Sequence, residues 1–333
     1  MNGHERQRTT RKTVLKICTV LSVLVLLFST VMFLLSVLDR YYGRYAGDTT
    51  LETPVLTYKG KDYVLRDGIE TLLVLGLDAY TGTEVESYNN NKQADFLLLL
   101  VIDTKNDTCK GIHINRDTIV DMDILAVGGS SVVGTVQQQI ALSHTYGNGK
   151  EVSCRNTANA VSELLCAPVD HYLSVTMDAV PTYNDLVGGV TLEVLDDFTS
   201  IDPAMQEGAE VTLTGEQALA YVRTRKGLED PSNARRMTRQ KQYLKAVYER
   251  SRQCMQEQEG FMAKAVLAMT DYLVSDCNGN KLESMLGRFS ERPLDTIHTI
   301  EGVSVEGEQF MEFYPDYDDL MQTIIECFYE PAE

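Results

Sequence analysis

Seven basic side chains crowd residues 221–244, YVRTRKGLEDPSNARRMTRQKQYL: Arg223, Arg225, Lys226, Arg235, Arg236, Arg239 and Lys241, opposed only by Glu229 and Asp230. The whole chain of 333 residues carries 30 Lys and Arg against 48 Asp and Glu, a net charge of −18, so this cluster runs against its background. Most of it is arginine, whose planar fork grips phosphate bidentately. Elsewhere, short apolar runs end in carboxylates: Asp78, Asp103 and Asp117, with Asp95 opening the second run. Strand ends of an α/β sheet are where ligand crevices form. Arginines and acids together suit a metal-bridged pyrophosphate, with Mg²⁺ held by one or two carboxylates and phosphate oxygens. Each feature alone has a plainer reading. Helix-surface arginines often sit in solvated ion pairs worth little, and strand-end aspartates form turns.

The elements that must position these groups follow from the pattern. TLLVLGLD (71–78) and FLLLLVID (96–103) are near-continuous apolar runs, as expected of strands covered on both faces, and KGIHINRD (110–117) alternates. Asn106-Asp107 reads as the hairpin turn between the last two. Helices are expected over about 134–146 and 156–166, then a strand at 171–177, a helix over about 178–186, and a strand GVTLEVLDD opened by Gly188-Gly189. Those glycines read as a backbone requirement of the turn. Thr214 with Gln217 forms a capping box that starts a helix ending at Gly227, and Pro231-Ser232-Asn233 opens another. On that second helix Arg236, Arg239, Gln240 and Tyr243 share one face. The alternation predicts a three-layer α/β/α sandwich around a central mixed sheet.

Residues 17–38, ICTVLSVLVLLFSTVMFLLSVL, carry no charge, and their length matches the roughly 20 residues that cross a hydrocarbon core. Arg6, Arg8, Arg11, Lys12 and Lys16 precede them, which places the N-terminus in the cytoplasm and the remainder outside the cell membrane. A cleaved signal peptide would have a shorter apolar core and a small-residue cleavage site. The expected layout is a basic cytoplasmic tail (1–16), one transmembrane helix (17–38), a juxtamembrane segment and domain entry (39–67), and one extracellular domain (68–330). The acidic outer part disfavours nucleic acid, whose binding requires basic surface. Six cysteines lie outside the span without C-x-x-C spacing, and the five histidines are scattered, so no zinc or other transition-metal site is expected. His144 reads either as part of an acceptor cleft or as a helix-end histidine near the C-terminal dipole.

The order of the pieces carries more than any one of them. LLVLGLDAY, ADFLLLLVIDTKNDTCKGIHINRDTIV, NDLVGGVTLEV and LTGEQALAYVRTRKG…ARRMTRQKQYL, over about residues 68 to 250, resemble the LytR-CpsA-Psr family of cell-wall proteins in sequence and spacing. The closing EGVSVEGEQFMEFYPDYDDLMQTIIECFYE is similar to the family's last segment. The resemblance implies a Mg²⁺-dependent phosphotransferase of Gram-positive-type envelopes. It would move a glycopolymer such as teichoic acid or capsule from a polyprenyl-pyrophosphate carrier to a peptidoglycan hydroxyl, leaving a phosphodiester. By the same resemblance Asp95 holds the metal, and Arg116, Arg223, Arg225, Arg236, Arg239 and Gln240 clamp the pyrophosphate. Asp117 or Asp78 would accept the acceptor's proton, beside Arg116.

The chain departs from the family pattern in three places. The family's "RSD" is Gln93-Ala94-Asp95, which removes one expected phosphate contact, and Lys92 is no equal of an Arg fork. The family's "PRD" is Asn115-Arg116-Asp117, a change expected to alter only local stiffness. The second metal-binding acid of the family falls at Thr83, with Glu84 and Glu86 close by, so Glu84 is the candidate. The Gln93 change also admits a membrane-anchored protein that binds the lipid pyrophosphate without turning it over.

Overall fold

The computed structural model describes residues 55–78 and 90–332, apart from 91, 127, 128, 130 and 309. The segment 17–38 and Glu84 lie outside the described residues. Among those described, no helix is long and apolar enough to cross a membrane.

A compact unit begins at Val55. Strands β1 (Val55–Tyr58) and β2 (Lys61–Leu65) form a hairpin whose second strand also pairs with the last strand, β15 (Tyr329–Pro331). Residues 55–67 are therefore folded into the domain. Arg66 secures this closure, donating to the carbonyls of Tyr329 (3.0 Å) and Glu326 (2.7 Å).

The runs read as buried strands are β3 (Ile69–Leu77), β4 (Ala94–Asp103) and β5 (Thr108–Ile114), antiparallel neighbours in that order. Asp107 takes the left-handed conformation in the β4–β5 turn, at φ 56°. Strands β6 (Ile119–Leu125) and β7 (Val132–Gln139) form a separate hairpin. Here the expected helix over 134–146 is corrected. Its first half is β7, paired along its length with β6, and only Ile140–Thr145 turns, as a 3₁₀ helix. Helix α1 (Glu151–Leu165) covers the expected 156–166 helix and starts earlier.

Strand β8 (His171–Thr176) joins β3 in parallel, and helix α2 (Ala179–Leu186) leads through Gly188 and Gly189, at φ 83° and 89°, into β9 (Val190–Glu193). A Cβ on Gly189 would stand 3.1 Å from the Leu213 carbonyl of β10 (Glu210–Leu213), so the turn requires glycine in both conformation and space. Helix α3 (Gly215–Arg223) has both hydrogen bonds of the Thr214–Gln217 capping box. It stops four residues short of the expected Gly227, with Thr224 extended, leaving Arg225 beyond the helix. Helices α4 (Asn233–Glu257) and α5 (Phe261–Met269) follow, then β11 (Leu273–Ser275), α6 (Gly279–Ser290), β12 (Leu294–Thr299), the hairpin β13 (Gly302–Glu306) with β14 (Met311–Pro315), and α7 (Tyr317–Phe328).

The main sheet has the order β11-β8-β3-β4-β5-β12 and is mixed, with β8–β3 and β5–β12 parallel. Alternation splits its side chains between two cores. Leu73, Leu75, Leu97, Leu99 and Val101 pack with α1 and α7, while Leu72, Leu98, Leu100 and Ile102 pack with Leu282, Met285 and Phe289 of α6. Helices thus cover both faces, which explains why these strands read as continuous apolar runs. A third cluster, including Val190, Phe198, Tyr221, Tyr243 and Val247, joins β9, α3 and α4. The six cysteines of the described region are all free thiols.

Candidate functional site

The acidic strand ends meet at one end of the three central strands. Asp78 follows β3, Asp95 is the second residue of its antiparallel neighbour β4, and Asn115-Arg116-Asp117 follows β5. Asp95 is aimed by a β-bulge: Phe96 pairs with Gly76 and Ala94 with Leu77, leaving Asp95 as the extra residue. Bulges re-aim a side chain where a strand borders a site. Gly76 permits this approach, because a Cβ there would lie 2.8 Å from that of Phe96.

Arg116 is the hub. Its Nη1 pairs with Asp95, its Nε lies 3.3 Å from Asp117 Oδ1, and its Nη2 donates to Gln93 Oε1 at 2.6 Å. Burial lowers the Arg116 pKa, against the pull of Asp117. The same burial raises that of Asp117, although Arg116, Arg236 and Arg225 all oppose the shift. Gln139, at the end of β7, donates to Asp117 Oδ1 at 2.9 Å and to the Met311 carbonyl at 2.6 Å. The Phe313 amide bonds the Asp117 carbonyl, so the β13–β14 hairpin braces the same residue.

The first turn of α4 closes over this cluster. Ser232 caps the helix, accepting from the Arg235 amide, and Asn233 donates to Asn115 Oδ1 at 2.9 Å. Asn115 Oδ1 also accepts from the Asp117 amide, at 3.0 Å. Asn115 is therefore a polar tie between the two halves of the site, not merely a change of stiffness from proline. Arg236 is only 6% exposed. One of its terminal nitrogens donates to Asn233 at 2.7 Å, but its buried Nε has no hydrogen-bond partner. Burial first, then the charges of Arg225 and Arg116, bring its pKa down to about 10, leaving it protonated at neutral pH. Arg225 itself is exposed, near enough for Arg116, Asp117 and Arg236 to feel its charge.

The remaining expected residues fall elsewhere. Arg223 and Asp78 pair at 3.2 Å, both largely exposed, on the rim. Arg239 is 1% exposed and its fork is taken up internally: Nε donates to the Tyr221 carbonyl at 3.0 Å, Nη1 to Asp196 at 2.5 Å, and Nη2 to the Thr224 carbonyl. Gln240 donates to the Val222 carbonyl at 3.1 Å. These two side chains hold the end of α3, and with it Arg223 and Arg225. Gln93 occupies the family's arginine position as a hydrogen-bond acceptor for Arg116. His144 lines no cleft. It is fully buried, with Nδ1 2.8 Å from the Lys92 carbonyl, and burial lowers its pKa to about 4.

The sequence reading missed Gln139, Asn233 and Asp196. Nothing in their spacing marks them, since each acts through a partner far along the chain.

The cluster presents three guanidinium groups to two carboxylates in a half-buried setting, with a guanidinium donor left open. Such a site calls for an anion. Its carboxylates offer oxygen donors only, the set that suits a hard divalent cation.

The LytR_cpsA_psr family model matches residues 42–325. Among curated proteins, the polyisoprenyl-teichoic acid–peptidoglycan teichoic acid transferase TagU of Halalkalibacterium halodurans is 30% identical over 183 residues, 55% of this chain and 53% of its own length. The corresponding TagV of Bacillus subtilis is 28% identical over 186 residues, 54% of this chain and 43% of its own. The chain thus spans about half the length of the curated relatives it matches. The crystal structure of B. subtilis TagV superposes with a TM-score of 0.59 at 24% identity, covering 78% of this chain and 97% of that one. A structure of TagT bound to LI-WTA gives a TM-score of 0.58 at 21% identity, covering 78% and 90%. At these identities the likeness establishes the fold.

Proposed function

The chain belongs to the LytR_cpsA_psr family, and from that premise we propose that it is a membrane-anchored phosphotransferase, moving a glycopolymer from a polyprenyl-pyrophosphate carrier to peptidoglycan. The observation that carries this reading is the Arg116–Arg225–Arg236 group, with its open buried donor, set against Asp95 and Asp117 at the strand ends. The domain is read as a three-layer α/β/α sandwich outside the cell, tethered by a helix over 17–38.

In phosphoryl transfer the protein contributes positioning and electrostatic stabilisation more than covalent chemistry. The acceptor sugar hydroxyl attacks the glycan-side phosphorus. An O–P bond forms there, the bridging P–O bond breaks, and polyprenyl phosphate departs. Arg236 and Arg116 meet the charge that grows on the leaving phosphate. Arg225, exposed beyond the end of α3, meets the incoming pyrophosphate. Asp117 takes the hydroxyl proton. It suits that role better than Asp78, because burial raises its pKa and Gln139 fixes its orientation, whereas Asp78 lies open on the rim. Asp95 would hold Mg²⁺, which when bound would supply positive charge against that of the phosphates.

The test uses the full-length chain in detergent, a labelled polyprenyl-pyrophosphate glycan donor and peptidoglycan fragments. Release of polyprenyl phosphate with label on the peptidoglycan is expected, lost on chelation and in Asp95→Asn. Donor bound but left intact would favour a binding protein without turnover, and transfer that survives chelation would remove the metal from the scheme.

A further inference from the structure

The pairing of β8 with β11 brings together a second set of reactive side chains, away from the arginines. Val175, Ser174 and Leu173 pair with Leu273, Val274 and Ser275, so the next residues along, Asp276 and Cys277, come beside Tyr172 and His171. Among the described residues, one group of three His, Cys, Asp or Glu side chains has its donor atoms all within 4.8 Å of one another: His171, Asp276 and Cys277. The imidazole Nδ1 stands 3.1 Å from Asp276 Oδ2, and the Cys277 thiol 3.7 Å from Asp276 Oδ1.

The backbone beneath them is tied down. Asp276 Oδ1 accepts from the Tyr172 amide at 3.3 Å. Ser275 Oγ donates to the Tyr172 carbonyl at 2.7 Å and accepts from the Cys277 amide at 3.1 Å. Asn278, the next residue, caps α6 through the Lys281 amide at 3.0 Å. All three side chains are partly exposed, so solvent reaches them.

We propose that His171, Asp276 and Cys277 form a binding site for a borderline-soft divalent transition ion of the Zn²⁺ class, with water completing four-coordination. The donor chemistry selects the ion. Thiolate and imidazole favour such metals, whereas Mg²⁺ takes oxygen ligands. An ion pair between His171 and Asp276 would explain two of the three groups and leave the thiol without a reason to be there. On binding, the Cys277 S–H proton is released to solvent, the imidazole binds neutral, and no electrons are transferred. The ion would clip β8 to the start of α6, joining parts of the chain about a hundred residues apart.

Co²⁺ serves as the probe, added to the reduced full-length chain in detergent. One equivalent should produce a thiolate-to-cobalt charge-transfer band in the near ultraviolet, and one equivalent of Zn²⁺ should abolish it. Cys277→Ser should lose the band, and His171→Asn and Asp276→Asn should each weaken binding at least tenfold. Asp276→Asn can keep its bond from the Tyr172 amide, so it separates loss of a ligand from loss of fold, which far-ultraviolet circular dichroism checks. Cys166→Ser, at an exposed thiol elsewhere, should give the band as the parent does. Absence of the band in folded parent protein, or its survival in Cys277→Ser, would overturn the proposal.

Discussion

Arg236 and Arg239 stand three residues apart on α4, on the same face and both buried, yet their surroundings are opposite. Arg239 is satisfied: a carboxylate, two carbonyls and the face of Phe198, 5.3 Å from its guanidinium carbon, take up its fork. Arg236 has Asn233, an open Nε, and the like charges of Arg225 and Arg116, each of which outweighs the pull of Asp117. Both were buried at a desolvation cost, but only Arg239 recovers that cost within the protein. A buried charge that the fold leaves uncompensated marks where a ligand completes the structure, and one that the fold compensates marks a strut. The RxxRQ pattern therefore mixes two tasks that the sequence cannot separate.

The sharpest way to break this contrast is to remove each guanidinium while keeping its bulk. Arg239→Met should cost about 3–5 kcal/mol of unfolding free energy, because Asp196 loses a buried partner and two carbonyls lose their donor. Urea unfolding of the full chain measures it. Arg239→Met/Asp196→Leu should recover part of the loss, and a single variant as stable as the parent would end the claim that Arg239 is a strut. Arg236→Met should do the reverse, leaving stability unchanged or raised by about 1 kcal/mol while slowing transfer by about 100-fold or more. Release of polyprenyl phosphate reads the rate. A variant that unfolds instead would place Arg236 with Arg239.

A third test concerns Asp117, which shares the Arg236 environment. A proton acceptor works only when ionised, and burial raises the pKa of this one. The rate should therefore fall about tenfold per pH unit on the acid side of that raised pKa, and level off above it. Asp117→Asn should abolish this acid limb along with most of the activity. If the limb persists in the residual rate, another group takes the proton.

Much of the fold was legible because its signals are local. Continuous apolar runs announced β3 and β4, the Thr214–Gln217 box announced α3, and Gly188-Gly189 announced a turn that only glycine can make. The failures have a common cause in partners that the sequence does not place together. VVGTVQQQ has no strong period of its own, and it is a strand because β6 lies beside it. Gly227 suggested a helix end, but Arg239 and Gln240 from the next helix fix the end near Arg223. The aim of Asp95 depends on a bulge, which register creates and composition does not. Of the site, Arg116, Asp117, Asp95 and Arg236 could be named from motifs. Gln139, Asn233 and the tie through Asn115 exist only once β7, β5 and α4 have met.

Gln93 allows the finest adjustment of the comparison. In place of the family's arginine it accepts a 2.6 Å hydrogen bond from Arg116, so it satisfies one guanidinium donor of the cluster and leaves the charge of the cluster as it is. Gln93→Arg would remove that acceptor and add a guanidinium beside one already crowded by Arg225. The unliganded protein should lose about 1.5–3 kcal/mol of stability, since a hydrogen bond to a charged group is worth about that much. The added fork should also tighten binding of inorganic pyrophosphate, measured by calorimetry, and the ligand should restore more stability to the variant than to the parent. A change in stability without a change in pyrophosphate affinity would mean that Gln93 braces Arg116 but does not face the anion, and the open side of the cluster would then lie toward Arg225 and Arg236 alone.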